Sequence, residues 1–229
     1  KGAAQVHDLA IGISAHIMLA PIWWPSQSSS GWLSKKGRCC TFDEGADGYV
    51  RGDGVGAVAM KCLSQVVDGL VVSDTEPVVG NLAGAMMNNN GKGASLAAPH
   101  GPSEQEAIAE AIRNASVSPY DVDGVESHGA GSLLADAIEA GSLARAHRSE
   151  EMRDPIIVTS LKTSAGNQNE VGGMAGYVKA MYAAQWGMMT MTNHLHVANP
   201  HMDAFEQPCS FATECMGYRM TSMFHGVMS

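Results

Sequence analysis

The stretch VDGVESHGAGSLLADAIEAGSLARA, residues 122–146, decides the fold. Residues 122–126 suit a short strand, His128 follows inside a glycine-rich turn, and residues 133–146 return to helical spacing. Arg145, His147 and Arg148 cluster at the end of that helix, where positive charge suits the negative end of the helix dipole. The same sentence of structure recurs downstream. Residues 156–161 are apolar and run into a turn at Gly166, and residues 171–186 form a helix of small residues stopped by Gly187. A helix that rich in glycine and alanine needs close packing on several sides, because each glycine costs about 1 kcal/mol in a helix.

Upstream, residues 103–115 read as a surface helix. Ser103 and Glu106 have capping-box spacing behind Pro102, and Ile108, Ala111, Ile112 and Ala115 share one face. Residues 9–13 read as a buried strand, the second half of 49–63 as another and 77–87 as a third, whereas 21–34 mixes Pro, Ser, Gly and tryptophans and reads as a loop. Strand and helix alternate along the chain, which predicts an α/β fold with helices covering a sheet. No repeat of roughly 20–50 residues interrupts that order.

The 229 residues fit one large domain or two small ones, and 45% hydrophobic against 16% charged residues is a globular composition whose low charge points to buried surface, some of it against another chain. A net charge of −9, with Lys35, Lys36 and Arg38 as the densest basic run, argues against nucleic-acid binding. The apolar run 9–20 is broken by Ser14 and His16 and is too short for a membrane span. Five cysteines, Cys39, Cys40, Cys62, Cys209 and Cys215, lack the density of a secreted disulfide scaffold, so a reducing intracellular compartment, cytoplasm or organelle matrix or stroma, is expected. Residues 1–20 do not read as a secretory signal, so the Asn-x-Ser triplet at Asn114 is expected to be an accident of sequence. Fifteen methionines, among them Met86, Met87, Met188, Met189 and Met191, are expected to fill irregular core gaps.

Three constellations could carry chemistry. Polar groups at strand C-terminal ends converge on ligands in α/β folds, which singles out His128 and the run from Lys162 to Asn167. Lys162 ends an apolar run and would be costly to bury without a partner or a purpose. Gly52, Gly54 and Gly56 imitate a dinucleotide-binding loop, but they lead into a strand, so close backbone packing is the better reading. His194, His196 and His201 with Cys209 and Cys215 offer zinc donors at a spacing that matches no closed site, and no metal is expected.

Three stretches resemble the β-ketoacyl synthase family in its modular polyketide and type I fatty-acid branch. GRCCTFDEGADGYVRGDGVGAVAMKCLS at 37–64 is similar to the segment joining the family's two halves. VESHGAGSLLADAIEAGSL at 125–143 resembles Val-Glu-Ala-His-Gly-Thr-Gly-Thr with its downstream Asp-Pro-Ile-Glu, and SLKTSAGNQNEVGGMAGYVKA at 160–180 resembles Ser-Val-Lys-Thr-Asn-Ile-Gly-His-Leu-Glu and its helix. AAPHGPSEQEAI at 97–108 and NPHMDAF at 199–205 match further family segments in the right order. The resemblance implies a thiolase-like layered α/β/α/β/α fold, here incomplete, with residues 1–75 a remnant of the N-terminal half and 76–229 the C-terminal half. It implies a homodimer or larger complex, acyl carrier protein as a possible partner, no bound cofactor, and a phosphopantetheine-linked acyl or malonyl carrier as substrate.

The family's chemistry is decarboxylative Claisen condensation. A cysteine at a helix N-terminus holds the acyl chain, two histidines hydrogen-bond the extender's thioester carbonyl, and a lysine holds that arrangement. By resemblance His128 is the first histidine, Lys162 the lysine, and Asn167 stands at the second histidine. Ala130 and Ser132 replace the threonines that touch the pantetheine arm, Thr163 joins them on the substrate side, and Asp136, Glu139 and Gly166 give structural support. Asn169 replaces a glutamate, and Leu133 and Ala137 replace prolines. The family's nucleophile lies upstream of the strand matching 9–13, and none of the five cysteines stands in its place; Cys39 and Cys40 belong to the joining segment and Cys62 to a strand. SMFHGVMS at 222–229 resembles a blurred form of the family's Phe-Gly-Gly pocket loop and stops before the following strand. Two readings follow: a degenerate ketosynthase-like protein, inactive on its own, serving as a structural or interaction subunit; or the C-terminal polypeptide of a split active enzyme whose cysteine lies elsewhere. A carrier-binding module without turnover is a third. All depend on His128 and Lys162 sharing one pocket.

Overall fold

A computed structural model describes residues 9–73, 77–91, 93–95, 98–149, 151, 154–202, 208–217 and 224–227. In chain order the elements are strand β1 (Leu9–His16), helix α1 (Trp23–Ser29), strands β2 (Gly54–Lys61), β3 (Ser64–Val67) and β4 (Leu70–Ser73), and helix α2 (Gly101–Ala115). A 3-10 turn at Pro119–Asp121 leads into β5 (Val122–Glu126), then α3 (Leu133–His147), β6 (Ile156–Thr159) and the single turn α4 (Lys162–Ala165). A second 3-10 turn, Asn169–Val171, opens α5 (Gly172–Trp186), followed by β7 (Met188–Met189), β8 (Cys209–Phe211), β9 (Met216–Gly217) and β10 (Phe224–Val227).

The centre is a parallel four-stranded sheet in the order β10-β5-β6-β8. Because side chains alternate across a strand, β6 sends Ile156 and Val158 to one face and Ile157 to the other. The first face packs with Val125 on Ala140 and Leu143 of α3, over which α2 lies, and closes with Phe42, whose ring centroid is 4.5 Å from that of Phe211. The second face meets Ala183 of α5 and Met189. A Cβ on Gly124 would come within 3.0 Å of the Met189 sulfur, so this glycine lets the layer beneath close. The α/β layering predicted from the sequence is therefore present.

Several expectations are corrected. β1 is a strand, but it is not buried: paired only with β2 among the described residues, it leaves Ile11 63% and Ile13 72% exposed on one face of a two-stranded ribbon, while the other face, with Gly12 and Gly56, packs on Met174 of α5. The stretch read as a loop at 21–34 contains α1, whose Pro25 sits in the first turn where a missing N–H costs nothing. Residues 77–87 form no strand; the free edge of β5 is taken by β10 instead, and this segment lies along α2, with Asn88 Nδ2 donating to Ser103 O and Asn114 Nδ2 to Ala85 O. α2 begins two residues early, capped by His100, whose Nδ1 accepts the Ser103 N–H; Ser103 is inside the helix, and a capping box is found instead at Ser118 and Asp121. β6 ends at Thr159, before Leu161, and Cys62 follows β2 without belonging to it. Residues 224–227 are a strand, parallel to β5, where a loop was expected; residues 203–205 and the rest of the final octapeptide lie outside the described residues. Of the methionines singled out, Met189 is buried, but Met86, Met87, Met188 and Met191 are exposed.

The glycines at 52, 54 and 56 do serve close packing. A Cβ on Gly52 would lie 2.2 Å from Ala165 O and one on Gly56 2.7 Å from Met174 Cγ, so the backbone entering β2 runs directly against α4 and α5.

Candidate functional site

Parallel pairing sets Glu126, the last residue of β5, opposite Thr159, the last of β6, so the turns leaving both strands start side by side. His128 lies two residues past the first strand and Lys162 three past the second, and the two meet. Lys162 Nζ is 2.9 Å from His128 Nδ1 and donates to the His128 carbonyl oxygen at 2.6 Å. An ammonium only donates, so Nδ1 is an acceptor and the ring proton sits on Nε2. Burial and the neighbouring Lys162 charge depress the His128 pKa to about 4. One side of the residue is exposed to solvent, which softens that depression without reversing it. The imidazole is thus neutral with an N–H to offer. Burial also pulls Lys162 below the ordinary lysine range, while the Glu139 and Glu126 carboxylates draw it back.

The turn carrying His128 is held from below by two buried carboxyl groups on α3. Glu139 accepts the N–H groups of His128 and Gly129, and Asp136 accepts those of Gly131, Ser132 and Phe42. Burial raises the Asp136 pKa to about 6 against the pull of its three N–H donors. Burial raises Glu139 too, with its two backbone donors pulling the other way. Gly129 takes φ +47°, and a Cβ there would strike Thr41 Cγ2 at 2.5 Å and Ser160 Oγ at 2.6 Å; the Thr41 hydroxyl donates to the Gly129 carbonyl. Only glycine fits that position.

Asn167 is buried, its backbone gripped by Val50 and Gly52 through bonds of 2.7 and 3.0 Å. Its Oδ1 accepts the Asn169 N–H at 3.1 Å, which leaves Nδ2 as the side that donates. Thr163 is buried, donating to Ser160 O and accepting the Asn193 N–H, and with Gly166 it lines a cavity of about 250 Å³ together with Cys39, Arg51 and His194. Ala130 and Ser132 are half-buried at the mouth of the α3 turn.

The sequence reading passed over Glu126, Thr159 and Lys179. Lys179 Nζ donates to Glu126 Oε2 at 2.5 Å and to Thr159 Oγ1 at 3.1 Å, and Glu126 also accepts from the Thr159 hydroxyl and the Leu161 N–H. Both members of the ion pair are nearly fully buried. The signal was available: Lys179 is the one charged residue in α5, and Glu126 is an acid directly after Val125 at the end of a strand. None of the five cysteines is disulfide-bonded. Burial raises the thiol pKa of Cys39 and Cys40, and that of Cys209 to about 12, so these three are poor nucleophiles. Among the described residues no group of His, Cys, Asp and Glu is placed to hold a metal, and no helix is long and apolar enough to cross a membrane.

A family description of the β-ketoacyl synthase C-terminal domain matches residues 79–196, just over half of the chain, and one of the N-terminal domain matches residues 4–66. The chain belongs to the β-ketoacyl synthase family. Phenolphthiocerol/phthiocerol polyketide synthase subunits A and C of Mycobacterium tuberculosis are each 34% identical to it across 85% of the chain. The chain spans only 10% and 9% of their lengths. An oxazolomycin ketosynthase domain from Streptomyces albus superposes with a TM-score of 0.84 at 26% identity, covering 92% of this chain and 37% of the other. The ketosynthase from module 6 of the bacillaene synthase of Bacillus subtilis gives the same score and identity, over 93% and 38%. The thiolase-like ketosynthase fold, in partial form, is that of this chain.

Proposed function

We propose that this chain is a ketosynthase-like subunit of a larger polyketide or fatty-acid assembly, that it keeps a site for the extender's thioester carbonyl, and that it does not complete the condensation on its own. The observation that carries the reading is the 2.9 Å contact from Lys162 Nζ to His128 Nδ1. It directs the His128 Nε2–H outward as a donor, and the depressed pKa keeps the ring from titrating near neutrality. A malonyl thioester held there would lose carbon dioxide as the C–COO⁻ bond breaks and its electron pair passes into the enolate, whose oxygen takes hydrogen bonds from His128 and from Asn167 Nδ2. Asparagine gives one such bond but carries no charge, which fits a slow site: losing one oxyanion donor elsewhere costs about 10²- to 10³-fold. The thiols of Cys39 and Cys40 are pushed up by burial, which supports the view that acyl transfer needs a nucleophile from outside these residues.

A split active enzyme, with the cysteine on another segment or chain, is the second reading. It is favoured by the bare apolar face of β1 and β2, which offers a partner somewhere to sit.

The test is release of carbon dioxide from malonyl-carrier protein, alone and with any copurifying chain. Weak release that disappears in His128→Ala supports a retained site. A copurifying chain that restores acyl transfer supports the split enzyme. No release and no carrier binding in either case would leave a purely structural subunit and refute the retained site.

A further inference from the structure

Three segments meet around His16, at the end of β1: that strand, the segment entering β2 and the 3-10 turn before α5. Its Nδ1 is 2.6 Å from Glu170 Oε2, and its Nε2 is 3.2 Å from Arg51 Nη2 and 3.3 Å from Asn169 Nδ2. Arginine has no acceptor, so Nε2 must be the acceptor and the ring proton sits on Nδ1, toward the carboxylate. That fixes the orientation of the Asn169 amide as well, since only its NH₂ side can face a bare Nε2.

The chain of contacts continues to the thioester site. Asn169 is held at φ +46°, a conformation few non-glycine residues adopt, and there its backbone N–H reaches Asn167 Oδ1 at 3.1 Å. Arg51 belongs to the same assembly from the other side. Its guanidinium lies 5.4 Å from the Trp24 ring centroid, its Nε and Nη1 are buried without partners, and its neighbours Val50 and Gly52 grip the Asn167 backbone. The charged groups facing His16 are Glu170, from the 3-10 turn before α5, and Arg51, from the segment entering β2; nearby Asp53 is engaged with the Met18 N–H.

We propose that His16 is a positioning residue for Asn167: neutral, it holds Asn169 so that Asn167 Oδ1 is fixed and Nδ2 is left to donate; protonated, it presents a hydrogen to two donors and releases the amide. This deepens the proposed function and rests on Asn167 being a donor at that site. A merely structural histidine would not couple to Asn167 in this way.

The experiment is NMR of the side-chain amides of Asn167 and Asn169 in the whole chain, without thioester, titrated between about pH 8 and 5. Expected is a shift of both amides with the same midpoint as the His16 ring signals. In His16→Gln, which keeps an acceptor but cannot ionise, that shift is lost. In Glu170→Gln, which removes the carboxylate facing Nδ1, the Asn167 amide still moves together with the His16 ring signals. The proposal is overturned if Asn167 stays still through the His16 transition, if it still titrates in His16→Gln, or if Glu170→Gln separates the two midpoints. Glu170 is largely exposed, so this variant carries the test even should His16→Gln fail to fold. No substrate is present, so a negative malonyl assay leaves the result standing, and a fixed Asn167 amide leaves the malonyl result untouched.

Discussion

The parallel sheet and the β1–β2 ribbon are built from similar residues and end in opposite surroundings. In the sheet, Val125, Ile156 and Val158 are covered on one face by α3, and Ile157 on the other by Met189 and α5. In the ribbon, Leu9, Ile11 and Ile13 point away from α5 into solvent. An apolar pattern says that a face must be covered but not by what. The sheet is finished by its own helices; the ribbon's outer face is finished by nothing among the described residues. The site sits on the finished side, and Asn167 is where the two regions join, its backbone held by the segment that enters β2.

The largest expected effect tests whether the sheet region is as closed as its contacts indicate. Glu126→Ala leaves Lys179 charged and buried with no carboxylate, and should cost about 3–5 kcal/mol of stability, read as the urea midpoint of the full chain. A loss below about 1 kcal/mol would mean that water reaches this pair. Next, Leu143→Ala removes a side chain with 0% exposure from the first face of the sheet and should cost about 2–5 kcal/mol by the same measurement.

The pH dependence sharpens the comparison at the site itself. The His128 pKa is depressed from 6.5 to about 4, so its contribution to stability is complete above pH 6.5 and is lost as pH falls from there toward 4. Asp136 has the opposite sign: raised from 3.8 to about 6, it costs stability as pH rises through that interval. The two oppose each other between about pH 4 and 6. His128→Asn should remove only the first, leaving a variant whose stability at pH 5 relative to pH 7 exceeds that of the parent in denaturant titrations. Lys162→Met should raise the His128 midpoint, seen in its ring proton signals, since the ammonium beside Nδ1 is one cause of the depression. An unchanged midpoint would show that burial alone sets it.

Much of the site was legible because the signal is local. A strand that runs into His-Gly-x-Gly, and an apolar run that ends in a lysine, already say that two polar groups leave a sheet at the same end; parallel pairing of Glu126 with Thr159 then brings them together. What was not legible depends on pairing partners. Residues 77–87 have strand composition, but the β5 edge they would need is occupied by residues 224–227, more than a hundred positions away. The His100 cap could not be preferred to Ser103 because both have side chains able to accept, and only the chain direction entering α2 decides between them. Glu126 and Lys179 went unremarked because neither points to the other along the chain; only their meeting across two layers explains either.

The smallest expected effect is the one that could break the comparison. If the outer face of the ribbon is truly uncovered in the isolated chain, Ile11→Ser and Ile13→Ser should change its stability by no more than about 0.5 kcal/mol, because both residues stay mostly in water. The same changes should raise solubility, since they divide a continuous apolar strip. Gly12→Val on the opposite face should behave quite differently, because a Cβ there already meets Met174 Cε at 3.3 Å, and added methyl groups would push the ribbon off α5. Should Ile13→Ser prove as costly as Leu143→Ala, the outer face must be covered in solution, and the ribbon would then be as complete as the sheet. The oligomeric state of the parent chain, compared with that of Ile13→Ser by light scattering, would tell whether a second copy provides the cover.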